Sequence, residues 1–455
     1  MTAAGPVAGR LRIAIVAASD FEFESRLRKT ALSLAQDGHT VTIVALSGPS
    51  LAETETLADR VALVRVTLDR RIATGLRPLP RVVRTAILRA AGLAPEAVAL
   101  PPARPGADRL RAVARRGLEI LAALRRTGPW TDAVVGAAPD AEVVHAKALI
   151  ALPVARAAAR RTNGRTGRYV YDIADLHTES ARLAKLPRVA RAAIRRRERG
   201  LVRGAAGVLA ATPSMAVDVA RRFGVPEPVV LLNAPVAWRP ETPGVIRSDR
   251  LATALGLEPP PGRPAIILYQ GAFRVDQGIE ELVAAGDAPE LVASGAITVF
   301  LGFGHLETWL RAEAARRPGR MAVLPAVPEG ELLEWTAGAD VAFVGAPPRT
   351  ANQRLTLPNK LFQSLMAGVP IVVGEGTEHC RLARADGVGL CCDVDTPETI
   401  AATVAGLLAM SDPEREALRA HCREVALERY SWERAATGLV ELYRHIASGS
   451  ATVER

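Results

Sequence analysis

The chain has 455 residues, a formal charge of +10, 49% apolar and 23% charged residues, and only 4% aromatics. That length has room for two domains that each bury a core, and the composition is globular, which excludes disordered and fibrous classes. No apolar run approaches the roughly 18 residues of a membrane span, and Met1 to Arg10 lacks the apolar centre of a signal peptide, so the expected compartment is the cytoplasm.

In chain order, Leu11 to Ala17 is an Ile/Val-rich run that reads as the first buried strand of a parallel sheet. Leu27, Ala31, Leu34 and Ala35 then mark one helix face, ended at Gly38, and HTVTIVAL supplies the second strand. No G-x-G-x-x-G turn follows the first strand, which counts against a dinucleotide-binding dehydrogenase. Val61 to Val66 reads as a third strand. From Arg70 to Arg126 basic residues outnumber acidic ones by roughly four to one, and Arg109 to Arg126 has an amphipathic helical pattern. Ala141 to Pro153 and Tyr169 to Glu179 each read as a strand that ends in ionisable groups, the kind of position an α/β cleft uses for function. Arg188 to Ala206 is a strongly basic helix, and Arg182 to Arg203 has a steeper charge imbalance still. A strand and helix ending near Gly224 follow, then a last strand with Asn233 and Pro235. The Pro-rich stretch 236–261 reads as a hinge with a short helix at Asp249 to Leu255.

The second half opens on AIILYQG, a buried strand running into a turn, and ITVFLGFG is the next strand with its glycine turn. Met321 to Val327 and Asp340 to Val344 supply further strands. The stretch RLTLPNKLFQSLMAGVPIVVG reads as a helix with Leu361, Leu365 and Met366 on one face, Gly368 as its cap, and a strand from Pro370 to Val373. Pro358 suits the first helical position, which puts the N–H groups of Asn359 and Lys360 at the positive end of the helix dipole. That dipole alone disfavours a cation, so Lys360 in the first turn points to a visiting anion such as phosphate; a capped surface helix with a solvated Lys is the bland alternative. The four cysteines, Cys380, Cys391, Cys392 and Cys422, lack metal spacing, and reduced thiols without a metal are expected. The basic patches suit an anionic membrane surface or a phosphate-bearing acceptor held there, with a plain solvated face as the alternative. Scarce aromatics and the lack of a reading module argue against nucleic acid.

The segment LPNKLFQSLMAGVPIVV resembles the donor site of the large GT-B family of retaining, nucleotide-sugar-dependent glycosyltransferases of the family 4 type. Those enzymes carry two Glu residues eight positions apart, and here the positions hold Leu355 and Gln363. A sub-branch also lacks the first Glu, whereas Gln for the second, which in the family accepts from the ribose hydroxyls, is a departure; Gln still accepts, as a neutral and weaker partner. The opening strand-helix-Gly38-His39 pattern, AEVVHAKALIALP and YVYDIADLHTE resemble acceptor-domain segments of the same enzymes, although Lys147 and Ala148 replace a His and an Asp. His39 reads as a helix-end residue, and Asp172 as a loop anchor. SWERAATGLVELYRHI resembles their terminal helix.

The resemblance implies an α/β GT-B fold: two doubly wound Rossmann-like domains facing across a cleft, with a C-terminal helix crossing back to the first. The expected bounds are 10–235 with 431–447 for the acceptor domain, 236–261 for the hinge and 262–430 for the nucleotide-sugar domain. It implies diphosphate binding by Gly271, Arg274, Asn359 and Lys360, with Gln277 replacing a loop Lys. Nucleoside binding falls on Gly302, Gly304, Val327 and Gln363, and donor-sugar binding on Leu355 and Pro358. Lys147, His145 and Asp175 take catalytic positions, and Arg26 and His177 face the acceptor. The implied activity is a hexosyltransferase moving sugar from a nucleotide-diphosphate sugar to a lipid-linked, polysaccharide or secondary-metabolite acceptor, at the inner face of the cell membrane, with no metal and no cofactor. A sugar-nucleotide 2-epimerase of the same fold and a non-catalytic nucleotide-sugar-binding relative are the alternatives.

Overall fold

The computed structural model describes residues 9–22, 24–48, 50–68, 127–180, 188–240, 247–258 and 262–449. The patterns expected over 70–103 and 109–126 lie outside these residues. The chain forms two compact units: Met1–Ala210, Ala216–Val230 and Gly438–Arg455 make the first, and Ala211–Met215 with Leu231–Thr437 the second.

The first unit is built on β1 (Arg12–Val16), β2 (Thr40–Leu46), β3 (Thr54–Ala58), β4 (Val61–Val66), β5 (Val143–Lys147), β6 (Arg168–Ile173), β7 (Gly207–Ala210) and β8 (Val229–Val230), in the order β3-β4-β2-β1-β5-β6-β7-β8. All neighbours are parallel except β3 and β4. Strand β3 was invisible to apolar periodicity because TETLA is an edge strand without a buried residue, joined to β4 by a tight turn in which Arg60 takes a φ of +61°. The helix Ser25–Gln36 buries Leu27, Ala31 and Leu34 as its spacing requires, and Gly38 reverses the chain at φ +95°.

A polar cluster sits inside this unit. The Arg26 guanidinium grips Asp172 with bonds of 2.7 and 2.5 Å, both side chains being almost fully buried. His145 Nε2 lies 3.8 Å from the same carboxylate, and its Nδ1 is 2.8 Å from the Tyr443 hydroxyl on the terminal helix Trp432–Ser448. That helix is tied down further by Arg444 on Asp37 and by Arg168 on the Ile446 carbonyl. Burial alone would push the Asp172 carboxyl up, but Arg26 and His145 hold it well below the usual range. Arg26, on the helix Ser25–Gln36, and His145, inside β5, were expected to face an acceptor and to take part in catalysis; both are instead buried and bonded within this cluster.

The second unit is built on β9 (Ile266–Ala272), β10 (Ile297–Phe303), β11 (Met321–Pro325), β12 (Val341–Val344), β13 (Ile371–Gly374) and β14 (Gly389–Cys392), all parallel, in the order β11-β10-β9-β12-β13-β14. Alternate residues feed two cores. Ile266, Leu268, Val299, Ala342 and Val373 face one side with the helix Asn359–Met366, while Ile267, Tyr269, Phe300, Phe343 and Val372 face the other. The period-2 split is why these strands read as continuous apolar runs. A helix at Arg250–Ala254 lies where the sequence places a short one. Among the described residues no helix is long and apolar enough to cross a membrane.

The cysteines correct an expectation. Cys380 and Cys391 form a disulfide, with 5.5 Å between their Cα atoms, that joins the helix Glu378–Asp386 to β14. Successive strand residues point to opposite faces, so Cys391 turns to the helix and Cys392 to the core. Burial raises the Cys392 thiol to about 11 and the Cys422 thiol to about 12.

The buried ion pair predicts that Arg26→Ala lowers the unfolding free energy of the first unit by about 3–5 kcal/mol, because Asp172 is left charged and unpaired. Since the folded pKa of Asp172 is depressed, its contribution is present above the pKa of the unfolded chain and fades as pH falls through the folded value. Urea unfolding of Arg26→Ala at neutral pH measures this; an unchanged midpoint would contradict it.

Candidate functional site

In an open α/β sheet, ligands gather outside the carboxyl ends of the strands where the order reverses. In the second sheet that point lies between β9 and β12. The chain leaves β9 through Gly271, whose φ is +112°, and a Cβ built there would meet nothing within 4 Å. Its backbone is thus open to a ligand. Gly302 and Gly304 are needed for another reason: an added Cβ would lie 2.0 Å from the Gly271 carbonyl oxygen and 2.4 Å from that of Phe273. They let the ends of β9 and β10 pack backbone to backbone, a structural task where nucleoside contact was expected. Arg349 braces the rim, bonding Asp276 at 2.9 Å and Asp395 at 2.6 Å.

The helix Asn359–Met366 enters the same edge. Pro358 proves to be its N-cap, in extended geometry, one place earlier than expected, so Asn359 and Lys360 open the first turn. The Lys360 Nζ is buried, has no hydrogen-bond partner among the described residues, and lies 3.7 Å from the centroid of the Tyr269 ring. Burial, then the charge of Arg274, push its ammonium down to about 7. Arg274 is itself exposed and acts electrostatically on the Tyr269 phenol too, so the three groups share one neighbourhood. No carboxylate among the described residues pairs with Lys360. His379, buried close by, is neutral, since burial pushes its imidazole down to about 4, so it adds no further cation. Two basic groups converge here and neither is in an ion pair among the described residues, although Glu280 also acts on the Tyr269 phenol; the cation–π contact with Tyr269 offsets only part of the cost.

Gln363 sits one turn further along this helix. Its Oε1 accepts from Gln270 Nε2 at 3.4 Å, and Gln270 Oε1 accepts from the Thr336 hydroxyl at 2.6 Å. A buried Gln in the apolar run AIILYQG was the sequence signal for this network. The Leu355 carbonyl accepts from Thr212 at 2.6 Å, and Leu355 and Pro358 are half-buried. Val327 packs partly buried against the helix side of the sheet. Phe303, between the two close-packed glycines, is the only exposed aromatic among the described residues, and sequence reasoning passed over it.

In the first unit the candidates scatter. Lys147 ends β5 and pairs with Glu24, which also accepts from Ser19 Oγ at 2.8 Å. Asp175 is exposed and His177 half-buried, in the loop and 3-10 turn after β6. The structure brings Gly271, Arg274, Asn359, Lys360 and Gln363 to one sheet edge, and does not gather Lys147, His145 and Asp175 around a common open space.

No protein-family model matches the chain. It is 27% identical over 219 residues to a phosphatidyl-myo-inositol mannosyltransferase of Mycobacterium tuberculosis, which covers 47% of this chain and 56% of the relative. The chain thus spans about half the length of the curated relatives it matches. Among solved structures, sucrose-phosphate synthase from Thermosynechococcus elongatus superposes with a TM-score of 0.67 at 15% identity over 97% of this chain and all of the other. Anabaena HepE in complex with UDP-glucose gives a TM-score of 0.62 at 13% identity over 96% of this chain and all of the other. The relatives and neighbours are glycosyltransferases, and the fold is of the GT-B class: two Rossmann-like α/β units.

Because Lys360 is an uncompensated buried cation, its removal has opposite effects with and without ligand. Lys360→Met is expected to raise the melting temperature of the free protein and to weaken binding of nucleoside diphosphates by roughly 10- to 100-fold. Thermal shift with and without UDP, GDP, ADP and TDP reads both; unchanged affinity would contradict the assignment.

Proposed function

We propose that the protein is a retaining, metal-independent glycosyltransferase of the hexosyltransferase type, which moves a sugar from a nucleotide-diphosphate sugar to a lipid-linked, polysaccharide or secondary-metabolite acceptor. The observation that carries this reading is the pair of basic groups, Lys360 and Arg274, without an ion-pair partner among the described residues, at the strand end that holds the open backbone of Gly271. Likeness to glycosyltransferases in both comparisons supports it.

In this reading Lys360, Arg274 and the N–H groups of Asn359 and Lys360 hold the diphosphate. The bond between the anomeric carbon and the diphosphate oxygen breaks, the leaving group keeps the electron pair, and the acceptor oxygen bonds to the same carbon as its proton passes to the departing diphosphate. Fixed positive groups stabilise the growing charge on the leaving group by several kcal/mol. Gln363 meets the ribose, the loop at Val327 the base, and Leu355 and Pro358 the donor sugar. Asp175, His177 and Lys147 stand on the acceptor side. The protein works in the cytoplasm, at the inner face of the membrane, where the basic first unit meets an anionic surface or acceptor.

A second reading, a nucleotide-sugar-binding protein without turnover, is favoured by two observations: Gln363 replaces a carboxylate and is held by Gln270, and Lys147 is neutralised by Glu24. Nucleotide release from UDP, GDP, ADP and TDP sugars with mixed acceptors separates the two. Turnover that survives EDTA, with the anomeric coupling of the donor kept in the product, is the expected result; binding without release in every mixture would favour the second reading. Under either reading Gln363→Glu is expected to tighten nucleoside diphosphate binding about 3- to 10-fold by offering the ribose a charged acceptor, as calorimetry would read.

A further inference from the structure

The helices Leu152–Asn163 and Arg188–Val202 of the first unit flank a groove of 920 Å³, the size of a small-molecule site. Arg156 and Arg160, one turn apart, line one wall, and Arg196 and Arg197 the other. Ala157, Ala193 and Gly200 keep the space between them open; a Cβ built on Gly200 would meet nothing within 4 Å.

Three arginines on or next to these elements have partners. Arg161 pairs with Asp132, Arg195 with Glu179 at 2.7 Å, and Arg203 donates to the Phe223 carbonyl at 2.7 Å. The four groove arginines have neither a hydrogen bond nor an ion pair among the described residues. The helix Leu152–Asn163 has no acid, and the sole acid of Arg188–Val202, Glu198, turns inward to accept from the Tyr171 hydroxyl at 3.2 Å. Arg156 and Arg160 both act electrostatically on the buried Tyr169 phenol, whose hydroxyl donates to the carbonyl of Leu201 in the groove lining. Four like charges around one concavity repel each other unless an anion joins them, and planar guanidinium forks match phosphate oxygens in pairs.

We propose that this groove binds the phosphate of a phosphate-bearing ligand the size of a lipid headgroup or a sugar phosphate, at a site separate from Lys360. It shares with the proposed function the reading of an anionic partner for the first unit, but needs no nucleotide sugar, so its failure leaves the donor chemistry untouched.

The test uses the full chain. Fructose 1,6-bisphosphate, by calorimetry, represents a free ligand; phosphatidylcholine vesicles with about 30% phosphatidylglycerol, by co-sedimentation, represent a headgroup, with pure phosphatidylcholine as the blank. The expected result is binding of one probe, weakened about 10-fold or more by Arg156→Gln with Arg160→Gln, by Arg196→Gln with Arg197→Gln, and by Ala193→Trp, which fills the groove without removing charge. Arg161→Gln should bind as the parent does, and an unaltered urea-unfolding midpoint shows that each variant is folded. Binding of the bisphosphate alone assigns a free phosphate ester; binding of anionic vesicles assigns a headgroup. Binding of neither probe, or an Ala193→Trp variant that binds like the parent, overturns the proposal, the latter because the attraction would then be a diffuse property of a basic face.

Discussion

A positive charge held out of water without a counter-charge is the constraint on which the second unit depends. Most of its arginines are neutralised locally: Arg263 and Arg247 by Asp340, Arg317 by Asp287, Arg349 by Asp276 and Asp395. Lys360 is not, and its amine rests on an aromatic ring beside the charge of Arg274. Keeping this amine without a paired carboxylate retains a cost of folding that an incoming anion offsets. The placement at the strand-order reversal, next to a glycine with an open backbone, defines where that anion sits.

The first unit solves the opposite problem. Arg26, Asp172, His145 and Tyr443 bury a charge pair and satisfy it, which locks β5 and β6 to the terminal helix. Arg26 and His145 resembled substrate-facing residues because sequence shows the element that carries each without revealing which way its side chain turns. Position along the strand decides it: His145, inside β5, is buried, while Lys147, on the same face but at the strand's carboxyl end, reaches the rim and finds Glu24.

Much of the architecture was legible because parallel strands buried on both faces leave apolar runs that need no context: Val61–Val66, the run at Ile266 and that at Ile297 were each readable to within a residue or two. Edge elements were not. β3 and β14 bury too little to leave a pattern, and the Cys380–Cys391 bond arises from a helix returning beside a strand, a contact that no local spacing encodes. At the candidate site, Lys360 was visible because a cation at a helix N-terminus contradicts the dipole. Tyr269 beneath it was hidden, since an aromatic in a buried strand is ordinarily core. Gly302 and Gly304 were visible as glycines, but their reason, a backbone contact between β9 and β10, required the register.

The most direct test is proton uptake on binding. With the free amine titrating near 7, most of Lys360 is neutral at about pH 8, and a bound diphosphate raises its pKa, so binding must take up a proton. Calorimetric titration of nucleoside diphosphates in two buffers of different ionisation enthalpy measures the number. The account predicts uptake approaching one proton near pH 8, abolished in Lys360→Met; binding with no uptake, or with uptake unchanged in that variant, would contradict it.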